Sequence, residues 1–328
     1  MLGAEIYTQV MTAGARAAAF EQVRPHLLAV AYRLTGTVAD AEDVVQDAWL
    51  RWDAHRDIVI DDLTAWLTTV VSRLSLDRLR SAAHRRETYA GQWLPEPVVT
   101  TLDGDDPLAA VVAGEDARFA AMVVLEWLTP DQRVAFVLHD GFAMPFSEIA
   151  EVLGVTPAAA RQLASRARRT VAGAPKPADE HAEVVGKLLA AMACGDVATV
   201  VELLHPEVTF TGDANRRAPT APQVIRGSDK VARFLFGLAR RYGPRLFEVA
   251  ALGLVNGELG MVTAGAAAND EWPAIAPRIQ AMTVSDGRVV AIYDIANPDK
   301  FTGSPLGDAR ARGTTYVKPT APGRRPRS

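Results

Sequence analysis

Hydrophobic positions in the first half of the chain recur every three or four residues, and strict alternation appears only near its end. FEQVRPHLLAVAYRLTG puts Phe20, Val23, Leu27, Val30, Ala31 and Leu34 on one helical stripe, which Gly36 stops. AEDVVQDAWLRW follows, with Val44, Val45, Ala48, Trp49 and Trp52 apolar. DDLTAWLTTVVSRLSLDRLRSAAHRRE predicts a long helix over 62–86, carried by Leu63, Trp66, Leu67, Val70, Val71, Leu74 and Leu79. Residues 115–128 repeat the pattern with Phe119, Met122, Val123, Leu125 and Leu128, and Thr129-Pro130-Asp131-Gln132 reads as a capping-box start. Ser147 can start a short helix through Ile149, Val152 and Leu153 that Gly154 ends. Thr156 and Pro157 begin the next helix, AAARQLASRARR, with Leu163 and Ala167 facing inward. After helices near 181–203 the period changes. EVTFTG at 207–212 is a first strand, SDKVARFLFGLARRYG at 228–243 a helix, and four further strand patterns follow, with Asn256-Gly257 and Asp286-Gly287 as hairpin turns. Gly, Pro and Asp in 88–114 and GAPKPAD at 173–179 read as solvated linkers.

Charge changes this picture more than composition does. Hydrophobic residues are 49% of the 328, enough for packed cores, and the net charge of −4 argues against a wholesale polyanion binder. That charge is segregated. Residues 38–62 hold eight acids against two arginines, a face of one sign that suits a basic protein partner and not DNA. Residues 73–86 hold five arginines and one acid, Asp77. No acid occurs between Thr156 and Ala172, so Arg161, Gln162, Ser165, Arg166, Arg168 and Arg169 form an outward cationic face. Such a face can replace phosphate counterions and read base edges, as a helix-turn-helix does. A solvated basic helix in an ordinary bundle is the plainer alternative. Trp66, Thr69 and Arg73 mix ring, hydroxyl and cation, which suits unstacked bases, although the Trp66 ring itself is better explained as core. The lone Cys194 leaves no disulfide or thiolate cluster, so no metal site is expected. Residues 1–19 have no signal-peptide pattern and are expected to be flexible, and no apolar run reaches membrane-spanning length, which predicts a soluble cytoplasmic protein without membrane contact.

The order of an acidic AEDVVQDAWLRW helix, a WLTTVVSRLSLDRLR helix, a linker and a basic helix-turn-helix resembles the extracytoplasmic-function group of bacterial RNA polymerase sigma factors over residues 20–172. The resemblance implies two all-α domains: sigma region 2 at 20–87 and sigma region 4 at 115–172. It implies core RNA polymerase and promoter DNA as partners. Asp40, Asp43, Gln46 and Asp47 fall on the family's clamp-binding motif. Trp66, Thr69, Arg73, Asp77 and Arg80 fall on its minus-ten helix, with Arg73 where many members have asparagine. Arg161, Gln162, Ser165, Arg166 and Arg169 fall on the minus-thirty-five reader.

WLPEP at 93–97 and Asn297-Pro298-Asp299-Lys300-Phe301 are similar to the signatures of a subgroup with a fused SnoaL-like domain. The helices and strands of 180–301 fit that fold, an antiparallel α+β cone of the SnoaL or nuclear-transport-factor-2 type. The resemblance implies regulation by the fused domain through Trp93, Pro95, Asn297, Asp299 and Lys300. Asp213-Ala214-Asn215-Arg216-Arg217 stands where the subgroup has a glycine-rich segment. Residues 302–328, with six cations and one acid, read as a disordered tail. Cone folds can enclose a pocket, and His205, Asp213, Glu258, Tyr293 and Asp294 are its acid–base candidates. No HExxH, nucleophile elbow or glycine-rich phosphate loop accompanies them, so no cofactor or catalysis is expected. A small-molecule ligand in the cone remains possible, and the alternative function is a ligand-binding or enzymatic domain tethered to a DNA-binding module.

Overall fold

The computed structural model describes residues 13–55, 60–86, 89–100, 111–112, 114–172, 178–304 and 306. These divide into two compact units. The first holds the helices up to Arg86 and those from 121 to 172. The second holds residues 89–100, 118–120 and everything from 178 onward.

In the first unit, α1 (Ala13–Thr35), α2 (Val38–Ala54) and α3 (Leu63–Arg86) form a three-helix bundle. Leu27, Val30, Leu34, Val44, Ala48, Leu67 and Val71 are its core, each with under 1% of its surface exposed. Helix α1 starts at Ala13, so residues 13–19 are helical where flexibility was expected. The alanine-rich run favours helix, and the buried Arg16 fixes it by donating to the Trp52 carbonyl and lying 4.1 Å over the Trp52 ring. Thr37 caps α2 by accepting from the Asp40 amide, and Asp62 does the same for α3 from Ala65.

The second half of this unit begins with a short α4 (Phe119–Leu125) and α5 (Pro130–Phe136). The Thr129–Gln132 capping box forms reciprocally, as its sequence predicts. Helix α5 widens into a π-turn over Val137–Gly141 before α6 (Phe146–Leu153) and α7 (Pro157–Val171). The N-cap of α6 is Pro145, with no side-chain bond, so Ser147 lies inside the helix and does not start it. Gly154 closes α6 at φ 68°, a left-handed turn that would strain any side chain. The inward stripe of α7 is Ala160, Ala164 and Ala167; Leu163 sits at its edge, because alanines allow closer helix approach. Two buried arginines bind the halves of the unit together. Arg33 grips Asp116 with two bonds of 2.8 and 3.0 Å and donates to the Ala29 and Val111 carbonyls. Arg133 donates to the Arg33 carbonyl at 2.9 Å and pairs with Glu126. Fork geometry satisfies several acceptors at once, which buried charge requires.

The second unit packs α8 (His181–Cys194), α9 (Val197–Leu203) and α10 (Ser228–Tyr242) on a curved sheet. Its seven strands run β1-β4-β5-β6-β7-β2-β3. They are β1 (Val99–Thr100), β2 (Leu204–Asp213), β3 (Ile225–Arg226), β4 (Ala250–Val255), β5 (Glu258–Thr263), β6 (Arg278–Ser285) and β7 (Arg288–Ile295). Both hairpin turns form where expected, joining Val255 to Glu258 and Ser285 to Arg288. The sheet is not wholly antiparallel, since β2 and β7 pair in parallel. Strand β1 comes from the expected linker. Residues 94–100 are buried, and 99–100 pair with β4, so this part of the linker is sheet edge and not solvated chain. The remainder, 101–110, the N-terminal residues 1–12, the link at 173–177 and the tail beyond 306 lie outside the described residues.

Candidate nucleic-acid and polymerase interface

Helix α7 separates its residues cleanly. Its alanine stripe is buried, and Arg161, Gln162, Ser165, Arg166, Arg168 and Arg169 are all exposed on the other side. Arg161 lies 5.6 Å over the Phe146 ring, and Arg168 is tied to Asp140 at 2.8 Å. The face needs no bulky anchor, because α6 supplies Ile149, Val152 and Leu153 to the core beneath it. It is a helix with cations projecting into solvent, the shape and charge a major groove accepts.

Helix α3 is organised differently. Leu67, Val71 and Leu74 take the core, leaving Trp66 and Thr69 half-buried and Arg73, Asp77 and Arg80 exposed. The Trp66 ring is therefore at a groove wall, not in the core centre. Trp66, Thr69, Val70 and Arg73 form one side of a groove of about 530 Å³; Glu148 and Glu151 of α6 form the other. Arg73 donates to the Glu151 carbonyl at 3.2 Å, and Arg80 pairs with Asp131 of α5 at 3.0 Å. Asp77 is separate from these contacts, on the solvent side.

On α2, Asp43, Gln46 and Asp47 are exposed and Asp40 is half-buried behind its capping bond with Thr37. Arg78 of α3 reaches this row: Nη1 donates to Asp40 at 2.9 Å and to Asp43 at 3.1 Å, and Nη2 lies 3.8 Å from Asp47. Burial pulls the Arg78 guanidinium down, but the Asp40 and Asp43 carboxylates more than offset it, leaving it above its ordinary value. In sequence Arg78 is one more member of the basic run at 73–86. Its signal was the facing acids one helix away.

In the second unit three of the residues expected to regulate, Trp93, Asn297 and Lys300, gather around one buried carboxylate. Asp213, fully buried, accepts from Tyr89 Oη, from the Leu94 amide at 2.7 Å and from Lys300 Nζ at 2.6 Å. Lys300 also donates to the Leu94 carbonyl and sits 3.9 Å over the Trp93 ring. Asn297 donates to Tyr89 Oη at 2.9 Å and caps the turn at 298–300. Pro95 is buried in the same strap. Asp299 points away and pairs with Arg217 at 3.5 Å. Tyr89 keeps its proton, because burial and then the Asp213 carboxylate raise its pKa. The strap continues through the Val98 amide to Asn256 Oδ1 and the Gly303 amide to Glu96. Tyr89, Glu96 and Asn256 were missed, for they lie 124 and more residues from their partners. Asp213, an acid–base candidate by sequence, is a structural counter-ion. At the altered segment after it, Asn215 and Arg216 take φ 44° and 59°, left-handed positions that glycine fills without strain.

Asp294 lies on the opposite face of the sheet, toward the helices. It accepts from Arg278 at 3.0 and 3.3 Å, from Gln280 at 3.1 Å and from Thr220 at 2.6 Å. Thr220 gets this close because residue 212 is glycine: a Cβ there would stand 2.1 Å from its hydroxyl. His205 Nδ1 accepts from the Glu207 amide, a local turn bond. Tyr293 and Glu258 do not join the Asp294 cluster: Tyr293 pairs with Ala281 on the other sheet face, and Glu258 binds Arg118. Among the described residues no helix is long and apolar enough to cross a membrane, and no cluster of three or more metal-ligating side chains occurs.

Residues 19–85 match Sigma-70 region 2 and residues 118–171 match Sigma-70, region 4. The chain belongs to the extracytoplasmic-function RNA polymerase sigma factors, initiation factors that recognise promoters, here with an α+β domain following region 4. Its sequence is 69% identical over 300 residues to the ECF RNA polymerase sigma factor SigJ of Mycobacterium tuberculosis, covering 90% of this chain and 96% of that one. It is 36% identical over 225 residues to a probable sigma factor SigI of the same species, covering 65% and 73%. The crystal structure of Mycobacterium tuberculosis SigJ superposes with a TM-score of 0.80 at 67% identity, over 88% of this chain and 99% of that one.

Proposed function

We propose that this sigma factor divides its work among four residue sets. Asp40, Asp43, Gln46 and Asp47 dock basic groups of core RNA polymerase. Trp66, Thr69, Arg73, Asp77 and Arg80 hold the opened minus-ten strand. Arg161, Gln162, Ser165, Arg166 and Arg169 read the minus-thirty-five duplex. Trp93, Pro95, Asn297, Asp299 and Lys300 let the fused domain regulate the rest from within the cytoplasm, where polymerase works. The observation that carries this reading is that one compact unit holds both an acid-free outer face, on α7, and an acidic one, on α2.

The strap is the sharpest place to test regulation. Lys300→Met leaves Asp213 buried without its cation, which costs about 3–5 kcal/mol. Thermal unfolding should register that loss, and transcript yield in vitro from unchanged start sites should shift about three-fold or more with it. Yields equal to the parent from a destabilised Lys300→Met protein would make the fused domain a passenger.

A second reading, a small molecule held inside the cone, is supported by the Thr263 hydroxyl, which is buried without a partner opposite Arg278. Native mass spectrometry of protein taken from cells tests it, and a mass equal to the bare chain would count against it.

A further inference from the structure

Asp40, Asp43 and Asp47 fall on one stripe of α2, at spacings of three and four residues. Three carboxylates so placed repel one another. Arg78 crosses from α3 to contact all three, at 2.9, 3.1 and 3.8 Å. Three of the four residues assigned to polymerase docking thus share a guanidinium that the chain itself supplies. The cluster is open: Arg78 has 31% of its side chain exposed, Asp43 61% and Asp47 50%. Asp40 is held from its other side by the Thr37 hydroxyl at 2.8 Å, so Asp43 and Asp47 are the carboxylates able to change partner.

We propose that Arg78 is an internal competitor for the docking carboxylates, aligning them before polymerase arrives and yielding Asp43 and Asp47 to the partner's cations. The proposal rests on the docking role given to α2 above. Docking is then an exchange of ion pairs and not a simple gain. The face stays ordered and partly neutralised while free, and its affinity is held below what three bare carboxylates would give. An exchange also releases fewer net counterions than a gain, so docking is less sensitive to salt than the acid count suggests.

The test is binding of the full chain to core RNA polymerase, followed by fluorescence anisotropy across a salt series. Arg78→Gln removes the charge and ends in a shorter, neutral amide that gives up the Nη contacts, and it should tighten binding about three-fold with a steeper salt dependence. Arg78→Lys should return both towards the parent. Equal or weaker binding by Arg78→Gln, with a parent-like melting temperature, overturns the proposal. If Arg78→Gln lowers the melting temperature, the salt slope decides: an unchanged slope overturns it. Asp43→Asn with Asp47→Asn separates the two failures. Should that double variant bind core as the parent does, the docking role of α2 is wrong and the proposal falls with it; should it bind more weakly while Arg78→Gln does not bind more tightly, only the proposal fails.

Discussion

Two helices of the first unit carry the arginines we assign to nucleic acid, and they hold them in opposite conditions. On α7 the cations project into solvent, and only Arg168 meets a carboxylate among the described residues. On α3 Arg73, Arg78 and Arg80 are each engaged, by a carbonyl of α6, by the acids of α2 and by Asp131 of α5. The difference lies in the neighbours. Helix α7 sits in a stretch without acids, whereas α3 packs beside the segment holding eight of them. Counting charge along one helix therefore gives its sign but not its availability. Availability is decided by which helix packs alongside.

The largest effect that would break this contrast is on α7. Arg166→Ala should weaken binding of upstream-element duplex by about 1–3 kcal/mol if the side chain reads a base, or lower the salt slope by about one if it holds a phosphate. Electrophoretic mobility or anisotropy titrations distinguish these, and unchanged binding removes Arg166 from the interface. A smaller effect is expected on α3. Asp131→Asn frees Arg80 from a solvent-exposed pair, so binding of a single-stranded minus-ten oligonucleotide should tighten by less than about 1 kcal/mol. Weaker binding would mean that the pair positions Arg80 productively.

The seam that brings α3 against region 4 offers the smallest and most diagnostic effect. His26 of α1 bonds Thr68 of α3 and packs edge-on against Phe142. Burial, then the Arg33 charge, lower its pKa. The folded state thus holds His26 neutral more firmly than the unfolded chain does. Its contribution is complete above the unfolded value of about 6.5 and is lost as pH falls through the lower folded value. Melting temperature should drop as pH falls below about 6.5, with a shallower slope in His26→Gln. Equal slopes would remove His26 from the acid response.

Much of the first unit was legible in sequence because its determinants are local. The Thr129–Gln132 box, the Gly154 stop and the Thr156 cap each act within four residues, and all formed. The outward face of α7 followed from helical period alone. What stayed illegible depends on separation. Nothing near Arg78 announces Asp40 and Asp43, 38 and 35 residues earlier. Nothing near the prolines of 95–97 announces that the segment is a buried strap, since its partners Asp213, Asn256 and Lys300 come more than a hundred residues later. The WLPEP and NPDKF signatures marked both ends of that contact, but the carboxylate joining them was read as possible chemistry. A buried acid looks the same in sequence whether it titrates or is neutralised.

Strand β1 also has a consequence for how the molecule is made. The Val98 amide finds Asn256 across 158 residues, and Val99 pairs with Val255. Synthesis delivers the helices of regions 2 and 4 complete while Trp93, Leu94, Val98 and Val99 still wait for strands not yet translated. Through that interval the nascent chain carries an apolar edge with no sheet to join, the kind of segment that recruits chaperones or pairs with a neighbour. The sigma modules thus emerge first, and the strap closes only once the residues of β4 have been synthesised.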